Sequence, residues 1–523
     1  MTFFLHYAFY GFISVTLLFV ILCLIYCKRA NEYWQRKNVY AWKPTLVFGN
    51  AMDIMLQKKP LGVQIKEYYD DLKAQRKSFG GYYFLTQPVL VVSDLDLIKR
   101  VMVTDFEHFT DRPLHIDEEE NPLTGYLPAL KGERWKALRM KLSPAFTLLK
   151  SKMMLETLPE TYADTLMELI DRETRIHGVI NVHEIIGKLN MDIIASCAFG
   201  FECNSLKEGN AELKNHLLNF FHDQSLRGSI IHILSYVIPN IFKIIKLKTC
   251  NAKMMDYFTK LVTEIIAIRE KDEIVRNDFM HILLQIDEVS KPDMASESTD
   301  GLSLKELVAQ CFVFLLGGLE APSTVSSFCI YVLSQHLELQ DKAREEIRSV
   351  LKKYKGKISH DALSEMTFID QCIYETFRMY PPVMIHGRAC TKEYVVPGSR
   401  VVIEKGTTVF IPTYGLHMDP DYFPNPEVFD PERYSNKISD AWMPMGCGPR
   451  ICIAYRFGLL QVKYALVTLL RHYKFALHSS TKTPMTFDCK NFLLYPSSPI
   501  LVIPEKLSSN DSYNHQQNFD CDL

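Results

Sequence analysis

Residues 7–27 contain no charged side chain, and this uninterrupted apolar run restricts what the N-terminus can form. As an α-helix rising about 1.5 Å per residue, the run matches the roughly 30 Å thickness of a bilayer's hydrocarbon. Lys28, Arg29, Arg36 and Lys37 follow it, no small-residue cleavage site is present, and the residues before it lack the positive charge of a signal peptide. The pattern predicts an uncleaved anchor with a cytosolic body. The alternative, a secretory signal, would place the cysteines in an oxidising compartment.

Composition narrows the class of protein. The 523 residues are 47% hydrophobic and 23% charged, with a net charge of -2, so nothing in the overall charge favours a nucleic-acid partner. The 13 cysteines form no CxxC pairs, which argues against a disulfide framework or a zinc module. We therefore expect an anchor at 1–29, a connector at 30–50, one catalytic domain at 51–507 and a disordered polar tail at 508–523.

Hydrophobic periodicity predicts a mainly α-helical fold with small β-sheets. Helical patterns cover 63–76, most of 132–286, and a final segment from just after Cys452 to about His472. Runs rich in β-forming residues at 80–85 and 89–92 predict a hairpin with its turn at Gln87-Pro88. Residues 383–435 are rich in strand and turn signals, and 290–301 form a polar linker.

A long apolar segment at 304–335 predicts a central helix with an unusual middle. Gly317, Gly318 and Pro322 lie within it, and such residues weaken a helix and favour a local kink or a widened turn. A defect of this kind in a central helix predicts a nearby ligand site.

Cys452 is the best candidate for a metal ligand. It lies between a glycine-proline loop and the start of the final helix, where free N–H groups and the helix dipole favour a thiolate. Gly448 permits a tight loop, and Arg450 is placed to reach a carboxylate of a bound macrocycle. Cys447 is a rival thiol, but the spacing from Arg450 and the helix start favour Cys452.

The loop resembles the haem-binding loop of the cytochrome P-450 superfamily. Met445, Gly448, Arg450, Cys452 and Ala454 occupy the positions where that family usually has Phe, Gly, Arg, Cys and Gly. The resemblance implies a triangular helical prism around haem b, with Cys452 as the axial ligand of the iron. Met445 changes the packing beside the sulfur, and Ala454 adds a methyl that the pocket must accommodate.

A second motif lies about 75 residues before Cys452. Glu375 and Arg378 are three residues apart on one face of a segment too apolar for an exposed pair, and Arg433 follows in Phe-Asp-Pro-Glu-Arg. The resemblance implies that Glu375, Arg378 and Arg433 form a buried structural network. Removing one partner from such a network costs about 3 to 5 kcal/mol.

The family's haem propionates are bound by cations and an indole at three places in the chain. The resemblance assigns these roles here to Trp135 and Arg139 on one helical face, Arg388 on a strand, and Arg450 in the cysteine loop. Several cations beside two carboxylates would give a plausible charge match in a dry site.

Further motifs resemble the insect microsomal branch, which acts on xenobiotics such as insecticides and on hormones or other lipids. They are Tyr33-Trp34, 43–50, 276–280 and 456–458. The resemblance implies an endoplasmic reticulum membrane protein in contact with lipid, with a lipophilic small-molecule substrate. The regions expected to line its pocket are 114–117, 220–231, 314–321, 383–386 and 492–494, and we expect His386 to be a pocket or core histidine.

The central helix departs from the family where oxygen is activated. Glu320 keeps the usual acid, but Ala321 stands where the family has a threonine that helps to relay protons. A methyl cannot donate a hydrogen bond, so we expect slower proton delivery and some loss of reduced oxygen as peroxide. Ser323 or Thr324 could compensate, with a water at the carbonyl of Gly318.

Three functions fit these residues. The first is a monooxygenase that receives electrons from NADPH through NADPH-cytochrome reductase, with cytochrome b5 as a further partner. The second is an enzyme that rearranges or dehydrates hydroperoxides, and the third is a haem protein that binds lipophiles with little turnover. A basic set would favour the first function by forming a reductase-docking face: Lys131, Arg134, Lys136, Lys141, Arg456 and Lys463.

Overall fold

The computed structural model describes residues 2–114, 116–119, 121–158, 161–207, 252–274, 278–289, 302–491 and 493–507, together with positions 213, 216, 217 and 276. The predicted linker at 290–301, the tail at 508–523 and the pocket region at 220–231 lie outside these residues.

The first helix is the predicted anchor. Helix α1 spans Thr2–Ala30, and its segment Phe9–Ala30 has a mean hydropathy of 2.4 with no part buried against the rest of the chain. Its only basic residues in the last turn are Lys28 and Arg29. An apolar helix of this length with an exposed surface has the properties of a membrane span.

The residues directly after α1 are tied closely to the rest of the chain. Trp34, in the short helix α2 (Tyr33–Arg36), is fully buried and packs on Gly81, where an added Cβ would lie 2.2 Å from the indole. Its backbone N–H donates to the hydroxyl of Tyr83 at 2.8 Å, and its indole N–H donates to the carbonyl of Tyr82 at 3.2 Å. These contacts fix the chain directly after the anchor.

Helices account for most of the described residues after the anchor helix. In chain order they are α3 (Met52–Met55), α4 (Leu61–Ala74), α5 (Leu95–Lys99), α6 (Gly132–Leu142), α7 (Leu148–Glu156), α8 (Thr161–His177), α9 (Val182–Ile194), α10 (Ala252–Lys271), α11 (Phe279–Val289), α12 (Leu304–Leu333), α13 (Leu337–Lys353), α14 (His360–Glu365), α15 (Thr367–Met379), α16 (Thr413–His417) and α17 (Tyr455–His472). Short 3-10 or π segments occur at Arg100–Thr104, Phe106–His108, Pro122–Thr124, Ser143–Phe146, Ala195–Phe199, Ser205–Lys207, Pro431–Tyr434 and Gly448–Arg450.

In the part of the chain that the structure describes, three small sheets flank the helices. The strands are β1 (Phe79–Phe84), β2 (Gln87–Val92), β3 (Ile180–Asn181), β4 (His386–Ala389), β5 (Tyr394–Val395), β6 (Val402–Ile403), β7 (Thr408–Ile411), β8 (Tyr473–Leu477) and β9 (Leu501–Lys506). Their orders are β1-β2-β7-β4, β3-β9-β8 and β5-β6, with β2 and β7 parallel. The predicted hairpin is present, but its turn is at Leu85-Thr86; Gln87 and Pro88 instead pair with Phe84 and Tyr83.

Helix α12 runs through the core. It starts with a capping box between Ser303 and Glu306, and it packs against α9, α15 and α17. It is apolar enough to cross a membrane, but most of it is buried within the protein. Every residue from Leu304 to Leu333 is helical, so Gly317, Gly318 and Pro322 do not end the helix. The predicted fold class is confirmed.

Candidate functional site

An interior cavity of about 430 Å³ lies between α12 and the loop before α17. Its wall contains Cys452 and residues from four of the pocket regions expected from sequence, including Leu114, Phe314, Val383 and Leu493. The side chains are mostly apolar; for example, Phe146 stacks on Phe314 with 4.8 Å between ring centroids. A pocket with this lining is suited to a lipophilic ligand.

The loop that carries Cys452 is fixed by the backbone conformation of Gly448, by close packing against Met102 and by a hydrogen bond within the loop. Gly448 has a φ of +69°, and a Cβ there would lie 2.1 Å from the carbonyl oxygen of Met102. The N–H of Cys452 donates to the carbonyl of Met445 at 3.1 Å. Only glycine therefore fits at position 448, and the loop turns Cys452 into the cavity.

The Cys452 side chain is accessible, but the space that it faces is the interior cavity. Burial raises the pKa of the thiol, while a hydrogen bond involving the Ala454 backbone and the charges of Arg112 and Arg139 lower it. Burial is the largest of these effects, so a cation beside the sulfur would favour the thiolate. A ferric iron would supply that charge.

Cys447 differs from Cys452 in the way that matters for a ligand. It is partly buried against a cluster of apolar side chains that includes Met102 and Met443, and it is not part of the described cavity wall. Burial raises the pKa of its thiol as well. The geometry favours Cys452 of the two.

Three arginines line the cavity next to the Cys452 loop, and a fourth lies beside them. Arg450 is buried and donates to the carbonyls of Thr110 and Leu130 at 2.7 and 2.8 Å, and its guanidinium carbon lies 4.0 Å from the centre of the Trp135 indole. Arg139 donates to the carbonyl of Ile451 at 2.8 Å. The structure therefore brings together Trp135, Arg139 and Arg450 as the sequence predicted.

Arg112 belongs to the same cluster, although the sequence analysis missed it. Its guanidinium lines the cavity and donates to the carbonyl of Arg450 at 2.9 Å. Arg112 and Arg139 thus hold consecutive carbonyls just before Cys452. The available signal was a cation directly before Pro113, a position that is biased towards extended backbone and away from the interior of a helix.

Arg388 lies close to the cavity, but the described wall contains its neighbours His386 and Gly387 instead. It is buried on β4 and donates to the carbonyl of Gly387 at 2.9 Å. Its charge lowers the pKa of both Arg450 and His386. His386 is a wall residue, as expected. Burial is the main cause that lowers its pKa to about 3, and the charges of Arg388 and Arg112 lower it further, so the imidazole is neutral.

The positive charge of the arginines beside Cys452 indicates what kind of ligand would fit there. Burial is the main cause that lowers the pKa of Arg450, and Arg112, Arg388 and Arg139 lower it further. Asp111 opposes these effects, with its carboxylate 3.6 Å from the guanidinium of Arg450. A ligand with two carboxylates would relieve the mutual repulsion of the cations. Haem carries two such groups and an iron for Cys452, so the residues fit it.

The predicted structural network is formed behind the cavity. Arg378 donates to both carboxylate oxygens of Glu375 at 2.7 Å, and Arg433 donates to the same carboxylate at 3.1 Å. Glu375 and Arg378 are fully buried. These contacts join α15 to the Pro431–Tyr434 turn.

The matches with known proteins agree with this geometry. The family model "Cytochrome P450" matches residues 41–503. Cytochrome P450 6A1 of Musca domestica is 36% identical over 503 residues, covering 92% of this chain and 95% of the relative. Cytochrome P450 6j1 of Blattella germanica is 33% identical over 93% of this chain and 96% of its own length, and cytochrome P450 6a8 of Drosophila melanogaster is 32% identical over 93% and 97%.

The chain belongs to the cytochrome P-450 family. It therefore has the P-450 fold and is a haem-dependent oxidoreductase that relies on electrons from a redox partner. Its resemblance to the insect xenobiotic-metabolising branch is confirmed. The homologues and the apolar α1 indicate anchoring in the membrane of the endoplasmic reticulum.

The part of this cytochrome P-450 that departs from its family lies in the cavity wall. Ala321 and Pro322 line the cavity, whereas Glu320 is buried outside the described wall. Burial raises the pKa of Tyr495, and the charge of Glu320 raises it further. Among the described wall residues, Thr124 and Tyr126 carry hydroxyls, and Thr124 already donates to the carbonyl of Asn121 at 2.8 Å.

The two alcohols expected to compensate for Ala321 are engaged elsewhere. Ser323 donates to the carbonyl of Leu319 at 2.6 Å, and Thr324 is 3.5 Å from the carbonyl of Leu494. Both are buried and neither is part of the described wall. At the Gly318 carbonyl, where a water was expected, Gln461 donates a hydrogen bond at 2.8 Å.

The basic set predicted as a docking face is divided by the structure. Lys463 is buried and pairs with Asp370 at 2.7 Å, so the prediction that it contributes to a surface was wrong. Arg134 pairs with both Glu118 and Glu306 at 3.1 Å. Lys131, Lys136 and Arg456 are exposed, and Lys141 is partly exposed.

Proposed function

We propose that this protein is a membrane-bound monooxygenase that inserts one oxygen atom from O₂ into a lipophilic substrate. The observation that carries this proposal is the position of Cys452, which faces a cavity lined by guanidinium groups and by many apolar side chains. We further propose that the cofactor is haem b with Cys452 as the iron ligand. When bound, the haem supplies a site at which electrons reduce and activate oxygen.

The protein's own residues would hold and orient this group. Arg112, Arg139, Arg450 and Arg388 would balance the propionates, and the Trp135 indole would add a hydrogen-bond donor beside Arg450. The network of Glu375, Arg378 and Arg433 would keep the supporting loop in place. The apolar wall around Phe314 would exclude water from the substrate.

The proposed electron source is NADPH through NADPH-cytochrome reductase on the cytosolic side of the endoplasmic reticulum membrane, with cytochrome b5 as a second donor. Lys28 and Arg29 in the last turn of α1 support a cytosolic body. Exposed cations on α6 and at the start of α17, among them Lys136 and Arg456, support docking of an acidic partner. The names of the relatives give no substrate, and an insecticide, another xenobiotic, a hormone or a lipid would suit the cavity.

A first experiment tests the cofactor and its ligand. The full-length protein, purified with haem, should give the CO-difference spectrum of a thiolate-ligated iron when it is reduced. Cys452→Ser should abolish that spectrum, whereas the matched variant Cys447→Ser should keep it. Retention of the spectrum in Cys452→Ser would overturn the ligand assignment.

A second experiment tests the reaction. A panel of lipophiles would be screened for optical shifts of the ferric protein, and the ligands found would be incubated with NADPH and reductase. Oxygenated product that depends on both is the expected result. A second candidate, rearrangement of hydroperoxides, is favoured by the absence of an alcohol at Ala321 in the cavity wall. Consumption of an organic hydroperoxide without NADPH or reductase, with no NADPH-dependent product, would select it instead.

A further inference from the structure

Pro322 creates a specific problem for the central helix. In an unbroken α-helix the carbonyl of residue i accepts from the N–H of residue i+4, and proline has no N–H. The carbonyl of Gly318 therefore lacks the i+4 donor that an α-helix normally supplies. A buried carbonyl without a donor costs about 1 to 3 kcal/mol, yet α12 remains helical through this turn.

Gln461 supplies the missing donor from another helix. Its Nε2 lies 2.8 Å from the carbonyl oxygen of Gly318, across the contact between α17 and α12. Position 318 is also packed closely against α9, since a Cβ there would lie 2.5 Å from Cδ1 of Ile194. Gly318 and Gln461 both line the cavity with Ala321 and Pro322. The hydrogen bond from Gln461 to Gly318 therefore lies in the cavity wall itself.

The amide of Gln461 belongs to a chain of hydrogen bonds in which each side chain donates to the next group. Gln461 also donates to Oδ1 of Asn190 at 3.1 Å, Asn190 donates to the hydroxyl of Ser323 at 3.0 Å, and Ser323 donates to the carbonyl of Leu319 at 2.6 Å. The three side chains are at most 2% exposed. Because each bond has its acceptor defined, the amide of Gln461 cannot turn over without losing two of them.

We propose that Gln461 is a positioning residue for oxygen activation: it replaces the backbone donor that Pro322 removes and so holds the Gly317–Ala321 wall in place without water. Loss of the amide leaves the Gly318 carbonyl to recruit a water beside the reacting cavity. That water would be an extra, unselective proton source in a wall that already lacks the alcohol of the family. The coupling part of this inference rests on the proposed monooxygenase function, and the structural part does not.

The experiment is a double-mutant cycle on the full-length, haem-loaded protein. It compares wild type, Gln461→Leu, Pro322→Ala and the double variant. Pro322→Ala restores an N–H to the backbone, so the Gly318 carbonyl regains a donor from its own helix. Loss of the Asn190 contact occurs in both backgrounds and cancels. The cycle therefore isolates the interaction between Gln461 and the carbonyl that Pro322 frees.

Three quantities are measured for each protein: the thermal midpoint, the fraction of water-ligated ferric iron from the optical spectrum, and peroxide released per NADPH. Gln461→Leu should raise the water-ligated fraction and increase peroxide release severalfold, and both effects should fall by at least half in the Pro322→Ala background. Equal effects in the two backgrounds would overturn the proposal.

Controls separate this role from simple loss of stability. Thr468→Val removes another buried hydrogen-bonding group from α17, remote from Pro322, and should lower the thermal midpoint without changing the spectrum or the peroxide yield. If Gln461→Leu does not fold, Gln461→Met, which has similar length and no donor, takes its place. If no variant turns over with NADPH, the proposed function fails, while the spectrum and the thermal cycle still decide the role of Gln461.

Discussion

Arg378 and His417 are joined by two reciprocal hydrogen bonds. The guanidinium of Arg378 donates to the carbonyl of His417 at 2.8 Å, and Nδ1 of His417 donates to the carbonyl of Arg378 at 3.1 Å. The other ring nitrogen of His417 accepts the N–H of Met443 at 3.0 Å. One neutral imidazole thus connects the buried network of Glu375 to the segment that leads to Cys452.

His417 should make the stability of the protein dependent on pH. Burial, assisted by the charge of Arg378, lowers the pKa of His417 to about 3, against about 6.5 in an unfolded chain. Between these values the unfolded chain binds a proton that the folded protein does not, so stability rises with pH and is complete only above pH 6.5. Through His417 alone, lowering the pH from 7 to 5 should remove about 2 kcal/mol of the free energy of unfolding, and buried His386 adds a loss of the same sign.

Urea unfolding of wild type and His417→Gln at pH 7 and pH 5 measures this contribution. The variant should be less stable at pH 7 but lose less stability on acidification. His177→Gln, at an exposed position on α8, is the matched control and should keep the wild-type dependence. An unchanged pH dependence in His417→Gln would show that other groups cause the acid sensitivity.

Glu375 should be the least replaceable carboxylate of the core. Glu375→Gln leaves the buried guanidinium of Arg378 and the nearby Arg433 without their counter-charge, so we expect a loss of about 3 to 5 kcal/mol and poor retention of haem. Urea unfolding and the haem-to-protein ratio measure the two effects. Glu365→Gln breaks the exposed pair with Lys353 and should change neither quantity appreciably.

The sequence was most informative where local residues determine local geometry. The loop from Gly448 to Cys452 and the pair Glu375 and Arg378 could be predicted because each lies within one short segment. Gln461 could not, since its role arises only when α17 crosses α12 at Gly318. Lys463 was misassigned for the same reason: its partner, Asp370, comes from α15, and no spacing rule reveals that contact.

Gly448 should tolerate no side chain. Gly448→Ala forces a left-handed conformation on alanine, which costs about 1 kcal/mol or more, and it places a methyl 2.1 Å from the carbonyl oxygen of Met102. We expect loss of the thiolate-type CO-difference spectrum. Gly187→Ala, in the middle of α9 with open space at the Cβ position, should preserve the spectrum and add up to about 1 kcal/mol of stability. A normal spectrum in Gly448→Ala would contradict this account of the loop.

The exposed and buried cations should respond differently to substitution. Charge reversal at exposed Lys136 or Arg456 should raise severalfold the reductase concentration needed for half-maximal turnover, and the effect should diminish at high salt. Lys463→Met leaves Asp370 without its partner and should cost about 1 to 2 kcal/mol, with no change in the salt dependence of turnover. Titrations of reductase at two ionic strengths, combined with urea unfolding, distinguish the two classes. A salt-dependent defect of turnover in Lys463→Met would show that Lys463 does contribute to reductase docking.

Ala321 and Ser323 should separate proton delivery from helix structure. Ala321→Thr places a hydroxyl on the cavity wall, where general acid catalysis operates, and should lower peroxide release per NADPH severalfold with little change in stability. Ser323→Ala leaves the buried amide of Asn190 without its acceptor, which costs about 1 to 3 kcal/mol, but it should alter peroxide release less than twofold because the hydroxyl already donates to Leu319. Peroxide and product are measured together with the thermal midpoint. If Ser323→Ala instead increases peroxide release as much as Ala321→Thr reduces it, the serine hydroxyl is the substitute for the missing alcohol, since stability alone would not produce that symmetry.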